Sequence, residues 1–142
     1  MPWLPKKTVV VPVDFSDNSL PAMEAALELV ASPGEIHAIY VMAELSERDP
    51  GVIWGTIDDA KRTQNAKESL EKAFSDAKFQ GFTPVVRIGD PGNEIVEYAQ
   101  DAGADLIVIP SRGRTGLDYL LLGSVAERVT RLAKCPVLVL RG

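Results

Sequence analysis

The sequence predicts an α/β domain in which five parallel strands alternate with four helices that cover both faces of the sheet. Strand segments recur at Thr8 to Val13, Ile36 to Met42, Pro84 to Ile88, Leu106 to Pro110 and Val137 to Leu140, and Thr8 to Val13 and Leu106 to Pro110 are apolar without alternation, as strands buried on both faces require. The segments between them carry helical spacing, and cap residues, Gly and Pro punctuate the junctions. Strands and helices in strict alternation imply parallel pairing through crossovers. A chain of 142 residues, 46% of them hydrophobic, fits one domain over 1–142.

In chain order, the first strand ends near Pro12, which lacks an N–H and needs a bulge or an unpaired position. The cluster from Asp14 to Ser19 is turn and cap chemistry, with Ser19 the expected N-cap of a helix over Leu20 to Val30. Pro33-Gly34 punctuates before the second strand. Ala43 to Asp58 breaks the pattern, with an apolar island at Val52, Ile53 and Trp54 that suits a lid or an interface. Ala66, Leu70, Phe74 and Ala77 share one face of a long helix that Gly81 ends. Asp90 caps a helix with Pro91 at its first position, Ile95, Ala99 and Ala102 inward and Gly103 past its end. The last helix opens at Ser124, which forms a capping box with Glu127, and Val125, Val129 and Leu132 make its apolar stripe.

The stretch from Leu106 to Val125 points to function. A buried strand runs into a loop with Arg112, Gly113, Arg114 and Gly116, then Gly123-Ser124 at the mouth of a helix. The first N–H groups of a helix have no intrahelical partners and sit at its positive end, so Ser124, Val125 and Ala126 can face an anion such as phosphate. Arg112 and Arg114 add cations. In an open parallel sheet ligands bind outside the carboxyl ends of the strands where the strand order reverses. Asp14 lies just past strand 1 and Ser111 just past strand 4, so both reach one crevice if those strands are neighbours.

Composition narrows the partners. With 15 basic and 20 acidic residues the net charge of −5 argues against nucleic acid or an anionic membrane as the main partner. The single cysteine, Cys135, excludes an internal disulfide and a Cys-cluster zinc site and fits the cytoplasm. No apolar run has the length of a signal segment or a membrane span. His37, the only histidine, falls within a strand and reads as a packed or edge residue. No Ser-His-Asp or Cys-His constellation is evident.

On these residues the chain resembles the universal stress protein family along essentially its whole length. The likeness lies in Val9 to Ser16, in Gly103 to Ile109, in the long stretch from Gly113 to Val129, and in Cys135 to Leu140. It implies a Rossmann-like three-layer sandwich with strand order 3-2-1-4-5 and a homodimer formed through Val137 to Leu140. It further implies an adenine-nucleotide site for ATP, AMP or ADP with Mg²⁺, in a stress-response sensor or adaptor. Carried over by position, the candidate binding residues are Pro12, Asp14 at the ribose, Val41 at adenine through its backbone, and Ile109 and Pro110 along the pocket. Gly113, Gly123, Ser124 and Val125 complete the carried-over set at the phosphates, and Arg112 and Arg114 join the candidate binding residues as cations of the loop. The family's ATP-binding pattern begins with a glycine where this chain has Pro110, which removes any N–H that glycine supplies. Two alternatives remain open in the sequence: a nucleotide-free dimerisation module, favoured by Pro110, and a slow Mg²⁺-dependent ATPase with Asp14 as its acid. A run of alternating Val and Leu at a sheet edge also calls for cover, which a second copy supplies.

Overall fold

The computed structural model describes residues 2–44, 58–111 and 122–141. Its five strands are β1 (Val9–Pro12), β2 (Ile36–Met42), β3 (Thr83–Ile88), β4 (Leu106–Pro110) and β5 (Val137–Leu140). Among the described residues four α-helices connect them: α1 (Ser19–Leu27), α2 (Asp59–Ala73), α3 (Pro91–Asp101) and α4 (Ser124–Leu132). All strand pairs are parallel and the order is β3-β2-β1-β4-β5, so the order reverses between β1 and β4.

Side-chain alternation along the strands divides the core in two. Val9, Val11, Val13, Ile36, Ala38, Leu106 and Val108 face α1 and α2, meeting Ala22, Met23, Ala26, Leu70 and Phe74. Val10, Ile39, Ile107 and Ile109 face α3 and α4, meeting Ile95, Ala99, Ala126 and Val129. Removing this apolar surface from water is the main favourable term in folding. At the amino ends of the strands the Asp105 carboxylate accepts the N–H groups of Lys7 and Thr8, each at 3.0 Å, which fixes β4 beside β1. Among the described residues no helix is long and apolar enough to cross a membrane.

Helix ends depart from the expected ones where tertiary contacts claim the same residues. Ser19 is not the N-cap of α1: Asn18 holds that position, and the Ser19 hydroxyl is engaged by Asp14. The helix stops at Leu27, short of the expected Val30, because the Leu29 carbonyl accepts the N–H of Lys6 and Val30 bridges to that segment. Helix α2 likewise stops at Ala73, where Asp76 caps a separate short 3-10 turn by accepting the N–H of Lys78. Ala77 is therefore exposed, and Phe79 takes the core place, edge-on to Phe74 at 5.7 Å. Leu132 ends α4 partly exposed rather than in its stripe.

Helix α3 seats close to α4 because Gly92 has no side chain. A Cβ there would lie 2.6 Å from Cδ and 2.7 Å from Cγ of Arg128, whose guanidinium is held by Asp90 at 3.2 Å. Gly92→Ala therefore displaces the Arg128 side chain from its pairing with Asp90 or moves the two helices apart, and overpacking of this kind costs about 1–3 kcal/mol, against about 1 kcal/mol regained in helix propensity. The urea midpoint of the variant is expected below that of the wild type; an equal or higher midpoint contradicts the close approach.

Candidate functional site

The crevice exists because β1 and β4 pair only at their amino ends. Their ladder contains Val9 with Leu106 and Val10 with Ile107, and then stops. In a strand successive N–H groups point to opposite neighbours. Val13 donates to Ile39 on β2, so the Pro12 nitrogen faces β4. Ile107 and Ser111 donate to Pro136 and Leu140 on the β5 side, so the Pro110 nitrogen faces β1. The next two rungs of the ladder need an N–H from each of these prolines, and neither has one. Pro12 thus occupies the unpaired position its chemistry demands.

Past Pro12 the chain leaves the sheet by a turn built on Asp14. Its Oδ1 accepts the N–H of Ser16 at 3.0 Å and the hydroxyl of Ser19 at 3.3 Å, while its own N–H donates to Ser19 Oγ at 3.2 Å. Phe15 adopts φ of 63°, a left-handed conformation unusual for a bulky residue, and is held edge-on to Tyr40 at 4.8 Å between ring centroids. The buried Ser16 hydroxyl has no partner among the described residues. Because β1 departs here, β2 runs on paired with β3 alone. The β1–β2 ladder ends at Pro12 with Ile39, and by alternation the N–H and C=O of Val41 face the vacated side, with no partner on β1 among the described residues.

The mouth of α4 forms the opposite wall. The Ser111 carbonyl accepts the N–H of Gly123, which fastens the helix start to the end of β4. Gly123, in extended conformation, is the N-cap. The expected capping box is not formed: Ser124 is the first helical residue, and the Glu127 carboxylate is taken by Arg131 at 2.9 Å, one turn along an exposed face. The Ser124 hydroxyl is thus not spent on capping. The first-turn N–H groups of Ser124, Val125 and Ala126 lie at the positive end of the helix.

Of the residues singled out in the sequence, the fold brings Pro12, Asp14, Val41, Ile109, Pro110, Gly123, Ser124 and Val125 to the carboxyl end of the sheet, around β1, β2 and β4. Val41, Ile109 and Val125 pack with the cluster on the α3–α4 face, and alternation puts Pro12 there too. Pro110 alternates to the other face, in register with Leu140. Arg112, Gly113, Arg114 and Gly116 lie outside the described residues, as do Val52, Ile53 and Trp54.

Three supporting residues were not evident in the sequence. Ser19 locks the Asp14 turn. Gly89 donates to the Met42 carbonyl at 2.8 Å, extending β3 past the end of β2. Arg62, from α2, donates to the Ala43 carbonyl at 3.0 Å and pairs with Asp59 at 3.3 Å, fixing the chain two residues beyond Val41. The Gly89 and Arg62 contacts join residues that only the folded β2–α2–β3 connection brings together, and Ser19 is local but bonds Asp14 instead of taking the cap role its residue type suggests, so residue type alone does not signal them.

Elsewhere the structure assigns plain packing roles. Burial pushes the Cys135 thiol up from its ordinary pKa, with Asp105 acting in the same direction, so the reactive thiolate is disfavoured. His37 Nδ1 shares a hydrogen bond with the Tyr98 hydroxyl, and the Arg87 guanidinium lies 5.2 Å from the Tyr98 ring centroid.

A parallel sheet with covered faces and an open crevice at its strand-order reversal defines the class of α/β domains that bind ligands at the switch point. Within that class the chain belongs to the universal stress protein family, whose model matches residues 6–141. It is 39% identical over 144 residues to universal stress protein MJ0531 of Methanocaldococcus jannaschii, covering 95% of this chain and 82% of that protein. The solved structure of hypothetical protein MJ0577 superposes with a TM-score of 0.77 at 30% identity, covering 98% of each chain. The crystal structure of a universal stress protein in complex with cAMP superposes at 0.61 with 27% identity, covering 96% of this chain and 97% of the other.

The half-buried His37 gives a pH dependence. Burial lowers its pKa from the ordinary 6.5, so the folded state prefers the neutral ring and binds fewer protons than the unfolded chain in that window. Its contribution to stability is present above about pH 6.5 and is lost as pH falls from there through the lowered folded value. Thermal midpoints between pH 7.5 and 5 are expected to fall less for His37→Gln than for the wild type; parallel curves contradict the assignment.

Proposed function

We propose that this protein is a homodimeric, adenine-nucleotide-binding stress-response sensor or adaptor of the cytoplasm, with ATP as the main ligand. The observation that carries the reading is the N–H and C=O of Val41, turned together toward the space β1 vacates and facing the same crevice as the start of α4. A neighbouring donor and acceptor of this kind complement the N1 acceptor and N6 amino donor on the edge of adenine. The α4 N–H groups and Ser124 hydroxyl receive the phosphates, and the Asp14 carboxylate accepts from the sugar. The cAMP complex of the structural neighbour supports an adenine ligand for this fold.

Mg²⁺ would accompany the nucleotide phosphates, keeping several of its waters. Asp14 Oδ1 is engaged by its own turn, which favours a structural and sugar-binding role over that of a catalytic base. Nucleotide occupancy then changes the surface offered to a partner protein. Micromolar affinity needs about −8 kcal/mol, and each hydrogen bond to a charged group contributes about 1.5–3 kcal/mol before ordering costs. The Pro110 nitrogen faces β1 and not the start of α4, so the missing N–H leaves the phosphate bonds in place.

Calorimetric titration of nucleotide-stripped protein with Mg·ATP and Mg·GTP is expected to give one site per subunit and at least tenfold preference for ATP, because guanine presents the reverse donor–acceptor order to Val41. No saturable binding of either nucleotide overturns the reading, and equal binding removes Val41 from it. For the dimer, β5 is a sheet edge whose Leu138 remains 38% exposed. Leu138→Arg is expected to convert a dimer to a monomer in light scattering with its circular dichroism retained; an unchanged mass rules out this edge as the interface.

A further inference from the structure

Among the described residues, the gap between β1 and β4 is lined by backbone acceptors without donors. Thr8 accepts from Asp105, which sets the even-numbered carbonyls of β1 toward β4, and Ile107 and Ser111 donate toward β5, which sets the even-numbered groups of β4 toward β1. The last rung of the ladder, at Val10 with Ile107, uses the Val108 N–H and the Val10 carbonyl. Three carbonyls follow: Val108, Pro12 and Pro110. A continuing ladder requires the Val108 carbonyl to receive an N–H from Pro12 and the Pro12 carbonyl to receive one from Pro110, and proline has none. The Pro110 carbonyl requires the N–H of Asp14, which instead donates to Ser19 Oγ at 3.2 Å. All three carbonyls are thus without a donor among the described residues. Val108 and Pro12 are buried, where an unpartnered carbonyl is costly.

We infer that Pro110 is a specificity-determining residue, which makes this slot acceptor-only and so selects ligands that bring free sugar hydroxyls to it. The inference rests on the nucleotide reading. Of the parts of a nucleotide, the phosphates carry acceptors and are rejected by the slot, and the donors are the base amino group and the sugar hydroxyls. With the base edge at Val41 on one side and phosphates at the start of α4 on the other, the sugar spans the β1–β4 gap. A glycine at 110 keeps an N–H pointing into the gap, free to satisfy the Pro12 carbonyl and reduce the demand for hydroxyls. In this chain the proline exchanges a donor for sugar selectivity.

The experiment compares ATP with 2′,3′-dideoxy-ATP by calorimetry on the wild type, Pro110→Ala and Pro110→Gly, with GTP alongside. The wild type is expected to prefer ATP over the dideoxy nucleotide at least tenfold. Both variants restore an N–H at 110 and are expected to reduce that ratio to about threefold or less, with the ATP-to-GTP ratio retained. A wild-type ratio near one overturns the inference and leaves the nucleotide reading intact. A high ratio that stays high in both variants also overturns it, assigning sugar recognition to Asp14 alone. Failure of the wild type to bind either adenine nucleotide overturns the nucleotide reading itself, and the inference with it. Urea midpoints confirm that each variant is folded, and the second variant covers a failure of the first.

Discussion

The parallel pairing of β1 with β4, and its forced end, is the constraint on which the rest of the site depends. Below the end, two rungs and the Asp105 carboxylate hold the strands together. Above it no rung can form, because the facing nitrogens belong to Pro12 and Pro110 and the next N–H is drawn away by Ser19. A strand-order reversal gives any open parallel sheet a shallow crevice between crossovers that leave in opposite directions. Here the backbone chemistry adds depth to it, since the ladder cannot reach the ends of its own strands.

The helices act on that opening through packing. The two apolar clusters press α1 and α2 on one face and α3 and α4 on the other, so the strands cannot separate below the last rung. On the second face, the absence of a side chain at Gly92 brings α3 against the stem of Arg128, and the Asp90 carboxylate that caps α3 also holds the Arg128 guanidinium. The start of α4 is fixed in turn by the Ser111 carbonyl. Its orphan N–H groups therefore meet the crevice at a set position, which matters more to an anion than their number does.

The strands were legible in the sequence because short β-branched and apolar segments bounded by turn and cap residues have few other uses in a chain of this length, and the sheet order followed from the family likeness. Helix ends were less legible. Ser19, Ser124 and Glu127 all have the residue types of caps, but none of them caps: Asp14 takes the Ser19 hydroxyl, Gly123 holds the N-cap position ahead of Ser124, and Arg131, one turn along, holds Glu127. Local sequence states what a polar side chain can do; competition among partners decides what it does. Arg62 with Ala43, 19 residues apart, and His37 with Tyr98, 61 apart, could not be read because they require the crossovers to be in place.

Pro110 shows how a motif and a register lead to different conclusions from one residue. Against the family's glycine pattern it reads as the loss of a donor at the phosphate end. Its neighbours Ile107 and Ser111 donate toward β5, however, so its nitrogen is directed at β1. An N–H in that direction meets the Pro12 carbonyl across the gap and lies away from the start of α4, where the fastening of Gly123 to Ser111 leaves the helical N–H groups intact. The substitution therefore subtracts little from the anion-binding end. Its effect falls on the middle of the crevice, where backbone acceptors now outnumber donors and burial makes the imbalance costly.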